Sequence, residues 1–107
     1  PIGTAHGRYD EPPRIRWEYL ANVVPALNCG FVVHGGSGLQ DRDLRDLAAA
    51  GVAKINFSTD LKTAWGKGVS SGSLTNSVPE PLALLKGAEA EVAAMALGKL
   101  QALGAHE

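Results

Sequence analysis

A chain of 107 residues that is 45% hydrophobic and 20% charged is sized for one small globular domain, not for a disordered polyelectrolyte. Its formal charge of −1 and its lack of a basic run interleaved with aromatics argue against nucleic acid as a partner. No stretch approaches the ~18 apolar residues of a membrane span, so no membrane partner is expected.

The chain opens on Pro1 inside an apolar, strand-like stretch without methionine or a basic leader, which predicts that the natural protein extends upstream. PIGTAH, residues 1 to 6, reads as the first strand. A polar loop through Pro13 comes next, then a helix near residues 15 to 27. In it Trp17, Leu20, Ala21 and Val24 hold the spacing of one buried stripe, and Pro25 disturbs the final turn. Cys29, the single cysteine, cannot form an intrachain disulfide, and its place in NCGFVV predicts a small buried hydrophobe in a reducing cytoplasm.

The second unit runs from FVVH, residues 31 to 34, through GGSGLQ into a helix with Asp41 as the expected N-cap. Leu44, Leu47 and Ala48 form its inner face and Gly51 is its stop. VAKINF, residues 52 to 57, is the third strand, and STD leads into a helix containing Leu61, Ala64 and Trp65. The Gly- and Ser-rich stretch at 66 to 80 reads as a flexible loop. A terminal helix is expected at 81 to 104, with Val92, Ala96, Leu100 and Leu103 at helical spacing and enough apolar surface for self-association.

Strand, turn and helix thus recur three times, the pattern of βα units on a parallel sheet. Alternation places Thr4 and His6, Val32 and His34, and Lys54, Asn56 and Ser58 on one face, with Ile55 and Phe57 turned toward the helices. The polar set gathers at the carboxyl ends of the strands, where parallel α/β folds bind their ligands.

His6 and His34, each at a strand end and each followed by glycine, are candidate ligands of one metal ion; an isolated histidine is more often a hydrogen-bonded core residue, and it is the matched placement on successive units that raises the metal reading. A catalytic zinc takes three protein ligands and an open position. His106, in the C-terminal tail, is a poor third, so the missing ligand is expected outside this chain. GGSG, residues 35 to 38, brings amides together without Cβ atoms and leads into a helix start, which suits a phosphate, although a plain tight turn has the same composition. A dinucleotide fingerprint fails at Asp41, a P-loop lacks its GK, and a nucleophile elbow on Ser37 fails at Leu39. NFSTD, residues 56 to 60, either completes an anion cup or caps the following helix.

GTAHGRY at 3 to 9, FVVHGGSGL at 31 to 39 and AKINFSTDLKTA at 53 to 64, in this order, resemble the C-terminal part of the class II, zinc-dependent ketose-bisphosphate aldolases, the fructose- and tagatose-bisphosphate enzymes. The resemblance implies an α/β fold: a partial TIM (β/α)8 barrel comprising the last three βα units and the C-terminal helix. It implies Zn2+ held by His6 and His34. Gly7, Gly35, Gly36 and Ser37 would cradle the phosphate of dihydroxyacetone phosphate, Asn56 would touch substrate oxygens, and Ser58 and Thr59 would complete the phosphate grip. Lys54 needs no nucleophilic role. The third zinc ligand and the acid–base residues would lie upstream in the missing N-terminal half of the barrel, leaving this chain inactive alone, and the full enzyme would be a cytoplasmic homo-oligomer. The alternative is a non-catalytic phosphate-binding or assembly module from a truncated or split gene.

Overall fold

In the computed structural model, residues 2–73 and 80–104 are described. In chain order they form helix α1 (Trp17–Val23), a 3-10 turn (Val24–Ala26), strand β1 (Phe31–Val33), α2 (Asp41–Ala49), β2 (Val52–Ile55), α3 (Thr59–Ser73) and α4 (Pro81–Ala102). Each boundary has a local cause. Pro25 lacks an amide donor, so α1 tightens into the 3-10 turn. Gly51 at φ +86° turns the chain out of α2 into β2. The N-cap of α2 is Gln40, one residue before the expected Asp41; Asp41 and Asp43 instead lie in the first turn, where they complement the helix dipole.

β1 and β2 pair in parallel, with Phe31 opposite Val52, Val32 opposite Lys54 and Val33 opposite Ile55. Between the first two pairs the register shifts by one residue, a bulge at Ala53. The shift governs which side chains meet at the strand ends. Carried one residue further, it sets His34 beside Asn56; an unshifted ladder would present Ile55 there and turn Asn56 to the other face.

Residues 2–6 do not form the first strand expected there. Gly3 and Gly7 adopt φ of +100° and +106°, outside extended backbone, and the Ile2 carbonyl accepts from Arg16 N at 2.9 Å, at the entry to α1. The segment is tied to a helix start rather than to a ladder. Ile2 is still buried, in a core with Leu20, Val33, Leu39, Leu44, Leu47 and Ala102. Of the stripe expected on α1, Leu20 is buried and Val24 half-buried, while Trp17 and Ala21 face outward. Cys29 is exposed, not buried, because it falls in the bend before β1 and not on the strand.

The stretch expected as a loop from residue 66 continues α3 to Ser73; residues 74–79 of it lie outside the described residues. Ser70 and Ser71 satisfy their hydroxyls on the carbonyls of Gly66 and Lys67 one turn back, so they do not compete with the helix. The glycines serve packing. Ala64, Gly68 and Gly72 follow one another at i+4 spacing against α4, and a Cβ on Gly87 would stand 2.6 Å from the Gly68 carbonyl oxygen. α3 and α4 therefore lie antiparallel at close range, joined by the Lys67–Glu91 and Asp60–Lys99 pairs. Small residues occupy this seam, while Leu61 and Trp65 on the same helix remain 44% and 46% exposed. On α4 the buried positions are likewise Ala88 and Ala102; Val92 and Leu103 are half-buried, and Ala96 and Leu100 face solvent.

Candidate active site

The two histidines converge. The rings of His6 and His34 stand 5.5 Å apart between centroids at an interplanar angle of 65°. Two imidazoles that share an ion through metal–nitrogen bonds of ~2.0–2.1 Å place their centroids about 5 Å apart, so in separation alone this pair matches part of a metal donor set. It is only a part. Among the described residues no group of three or more His, Cys, Asp or Glu side chains could hold a metal. His106, the weak third candidate, lies outside the described residues.

Asn56 reaches the pair from just past the end of β2, its Nδ2 lying 3.3 Å from His34 Nδ1. This contact is the product of the bulge; for His34 to offer Nε2 to a metal, Nδ1 must carry the ring proton and the Asn56 amide must turn to present Oδ1 as acceptor. Gly36 N donates to Asn56 O at 2.9 Å and Asn56 N to Val33 O at 2.9 Å, so backbone bonds continue between the two strand ends beyond the assigned ladder.

Ser37 is 5% exposed, and its Oγ accepts from the amides of Ser58 at 3.2 Å and Asp60 at 3.1 Å. A residue of the glycine loop thus caps α3 from across the sheet, an arrangement that local helix-start rules do not contain. Two accepted bonds occupy the lone pairs of the hydroxyl and leave its proton to be donated. Asp60 Oδ2 returns the link by accepting from Gly38 N at 3.3 Å. The glycine loop and the start of α3 are one hydrogen-bonded unit.

His6, Gly7, Gly35, Ser37, Asn56, Ser58 and Thr59 line a single cavity of ≈ 40 Å³. A wider hollow of ≈ 330 Å³ shares Gly7, Ser37 and Thr59 and extends past Arg8, Tyr9, Gly38 and Asp60. On the other side His6 and His34 edge a mostly apolar hollow with Ile2, Phe31, Val32 and Val33. Gly36 sits behind the cavity, where an added Cβ would meet Ile55 Cγ2 at 2.5 Å. The residues singled out in three separate motifs therefore share one place. Lys54 lies outside it, exposed and opposite Val32. Motif spacing names no partner for Tyr9 or Asp60; both stand in GTAHGRY and NFSTD, but only the folded contacts reveal what they hold.

A glycine-backed cavity thus lies beside the two histidines on a βα scaffold, and comparison with known proteins finds the same scaffold in aldolases. The fold superposes on the YdjI aldolase of Escherichia coli K12 with a TM-score of 0.80 at 28% identity, over 97% of this chain and 37% of that one. It superposes on the fructose-bisphosphate aldolase of Campylobacter jejuni with a TM-score of 0.65 at 25% identity, over 96% of this chain and 38% of that one. A sulfofructosephosphate aldolase of Alkalicoccus urumqiensis is 38% identical over 68 residues, 64% of this chain and 24% of that protein. The class-II fructose-bisphosphate aldolase family matches residues 1–107, and the chain belongs to that family. It spans about a quarter of the curated relative's length and under two-fifths of either solved relative.

Proposed function

We propose that this chain forms the C-terminal part of a class II ketose-bisphosphate aldolase, contributing its last βα units and the terminal helix of a TIM barrel. The whole enzyme would reversibly cleave a ketose 1,6-bisphosphate into dihydroxyacetone phosphate and glyceraldehyde 3-phosphate. The convergence of His6 and His34 beside the Ser37 loop and Asn56 carries this reading.

His6 and His34 would hold zinc, which when bound supplies the Lewis acidity that polarises the ketone of the substrate. The chain's own residues would bind and orient. Gly36 N and Gly38 N are engaged by Asn56 O and Asp60 Oδ2, so a phosphate in the cavity would draw on the amides of Gly35, Ser37 and Thr59, with the Ser37 hydroxyl as a further donor. The glycine at position 7 gives close backbone approach from the other wall. Asn56 would hold the His34 ring and turn toward substrate oxygens. No Schiff base is invoked, and exposed Lys54 balances charge.

The third metal ligand and the acid–base groups would come from segments outside these residues, so the chain alone would be inactive. Exposed Val32, on the sheet face of His34 beside a hollow lined largely by apolar surface, suits an interior completed by the rest of a barrel. Exposed Leu82, Leu85, Leu97 and Leu100 on α4 suit a homo-oligomer of the full enzyme. The free Cys29 thiol suits a reducing cytoplasm.

The test is retro-aldol cleavage by the full-length protein. Activity should vanish on chelation, return with zinc and be absent in His34→Ala. Turnover that resists chelation, or trapping of the substrate on a lysine by borohydride, would overturn the reading.

A further inference from the structure

Tyr9 falls outside every metal and phosphate role above, yet its hydroxyl lies between the two histidine loops. The oxygen is 2.8 Å from both Ala5 N and Ala5 O, and 2.7 Å from Gly35 O. Ala5 directly precedes His6, and Gly35 directly follows His34. A phenol has one proton to donate and can accept in return: it takes the Ala5 amide and directs its proton into the space shared by the two carbonyls.

The missing strand gives this bridge its importance. β1 and β2 are held in register by ladder bonds, so His34 and Asn56 are placed by the sheet. Residues 2–6 have no such ladder to β1. What brings the His6 loop against the His34 loop is the Tyr9 hydroxyl together with direct seating of Gly35 on the Ala5 backbone, so close that a Cβ at Gly35 would strike the Ala5 carbonyl. The Tyr9 ring is itself braced: a Cβ at Gly38 would meet its Cδ2 at 3.1 Å. The side chain therefore spans from the first histidine loop to the glycine loop.

We propose that Tyr9 is a positioning residue for the metal pair, a clasp whose hydroxyl holds His6 and His34 at ligating separation before any ion arrives. The proposal rests on the reading of His6 and His34 as metal ligands. Preorganisation of this kind removes an ordering cost from binding, so loss of the hydroxyl is expressed as weaker metal affinity.

The test compares Tyr9→Phe with wild type in the full-length protein, since phenylalanine keeps the ring against Gly38 and deletes only the bridge. Zn2+ affinity, measured by competition with a chromophoric chelator, should fall about tenfold or more, as for other changes in groups that orient metal ligands. The visible absorption of the Co2+-substituted protein should change shape, which a general loss of stability would not cause. Equal Zn2+ affinity and an unchanged Co2+ spectrum would overturn the clasp and leave the aldolase reading standing. A wild-type protein that binds no Zn2+ would overturn both. If Tyr9→Phe does not fold, hydrogen exchange on the wild type decides: the Ala5 amide, outside any strand, should be protected, and Zn2+ should protect it further. Exchange at the rate of an unstructured peptide would overturn the proposal.

Discussion

Lys99 Nζ lies 3.0 Å from Asp60 Oδ2 and 5.3 Å from the centre of the Phe57 ring, so the last helix is joined to the strand end that carries Asn56. The same carboxylate oxygen accepts from Gly38 N, which extends the connection to the glycine loop. The side chains of the pair are 19% and 26% exposed, partly sheltered but within reach of solvent. Lys99→Met in the full-length protein is therefore expected to cost about 0.5–1 kcal/mol in urea unfolding. The difference should shrink at high salt, because screening already weakens the wild-type pair. A salt-independent loss would mean that packing on Phe57, not the ion pair, is what Lys99 contributes.

Ser37→Ala should be more harmful than its single lost atom suggests. Its Oγ is the acceptor for two amides at the start of α3, and the site is almost closed to water. Removing it strands both donors, at a cost of about 1–3 kcal/mol in denaturant unfolding. Affinity for inorganic phosphate should fall in the same variant, because the loop and the helix start lose their common tie. Unchanged phosphate affinity would separate the cap from the proposed cradle.

Gly35 and Gly7 both have positive φ, at +71° and +106°, but differ in their surroundings. An added Cβ at Gly35 would collide with the Ala5 backbone, whereas at Gly7 it meets nothing within 4 Å. Gly7→Ala should lose ~1–2 kcal/mol from backbone strain alone. Gly35→Ala adds a backbone collision to that strain and should lose clearly more, enough to lower the soluble yield. Thermal unfolding of the two variants side by side checks the order.

Asn56→Ala removes the amide that faces His34 Nδ1 while leaving both imidazoles in place. Loss of a group that orients a metal ligand commonly costs 10–100-fold in affinity, and Zn2+ titration of the full-length variant should show a decrease in that range. Full affinity with lost turnover would instead assign Asn56 to the substrate alone.

Much of the site is legible in the sequence because its residues are fixed by short-range rules. The FVV run ends in a histidine whose next residue must be glycine to bend, and the glycine-rich turn leads directly to the Leu44 and Leu47 face of α2. The illegible part depends on pairing between segments. Nothing local in VAKI announces the bulge that brings Asn56 to His34, because a register shift is a property of two strands. The expected strand at residues 1 to 6 has the right side-chain alternation, but a ladder also needs backbone that stays extended, and Gly3 and Gly7 do not. The Gly/Ser stretch from residue 66 departs from the expected loop for a related reason. Its small residues are penalties in an isolated helix and advantages in one packed tightly on a neighbour.

The seam between α3 and α4 gives those same glycines a mechanical sense. At the crossing of Gly68 and Gly87 the helices meet backbone to backbone, and Lys99 lies ~18 Å further along α4. The crossing is a fulcrum and the C-terminal half of α4 its lever arm: a methyl group wedged in at either glycine, tilting α4 by only ~5°, would swing Lys99 by about 1.5 Å over that length. A displacement of this size is half the 3.0 Å that separates Lys99 from Asp60, so hydrogen atoms at two remote positions govern how far the Lys99 side chain must reach to the carboxylate that also holds the glycine loop.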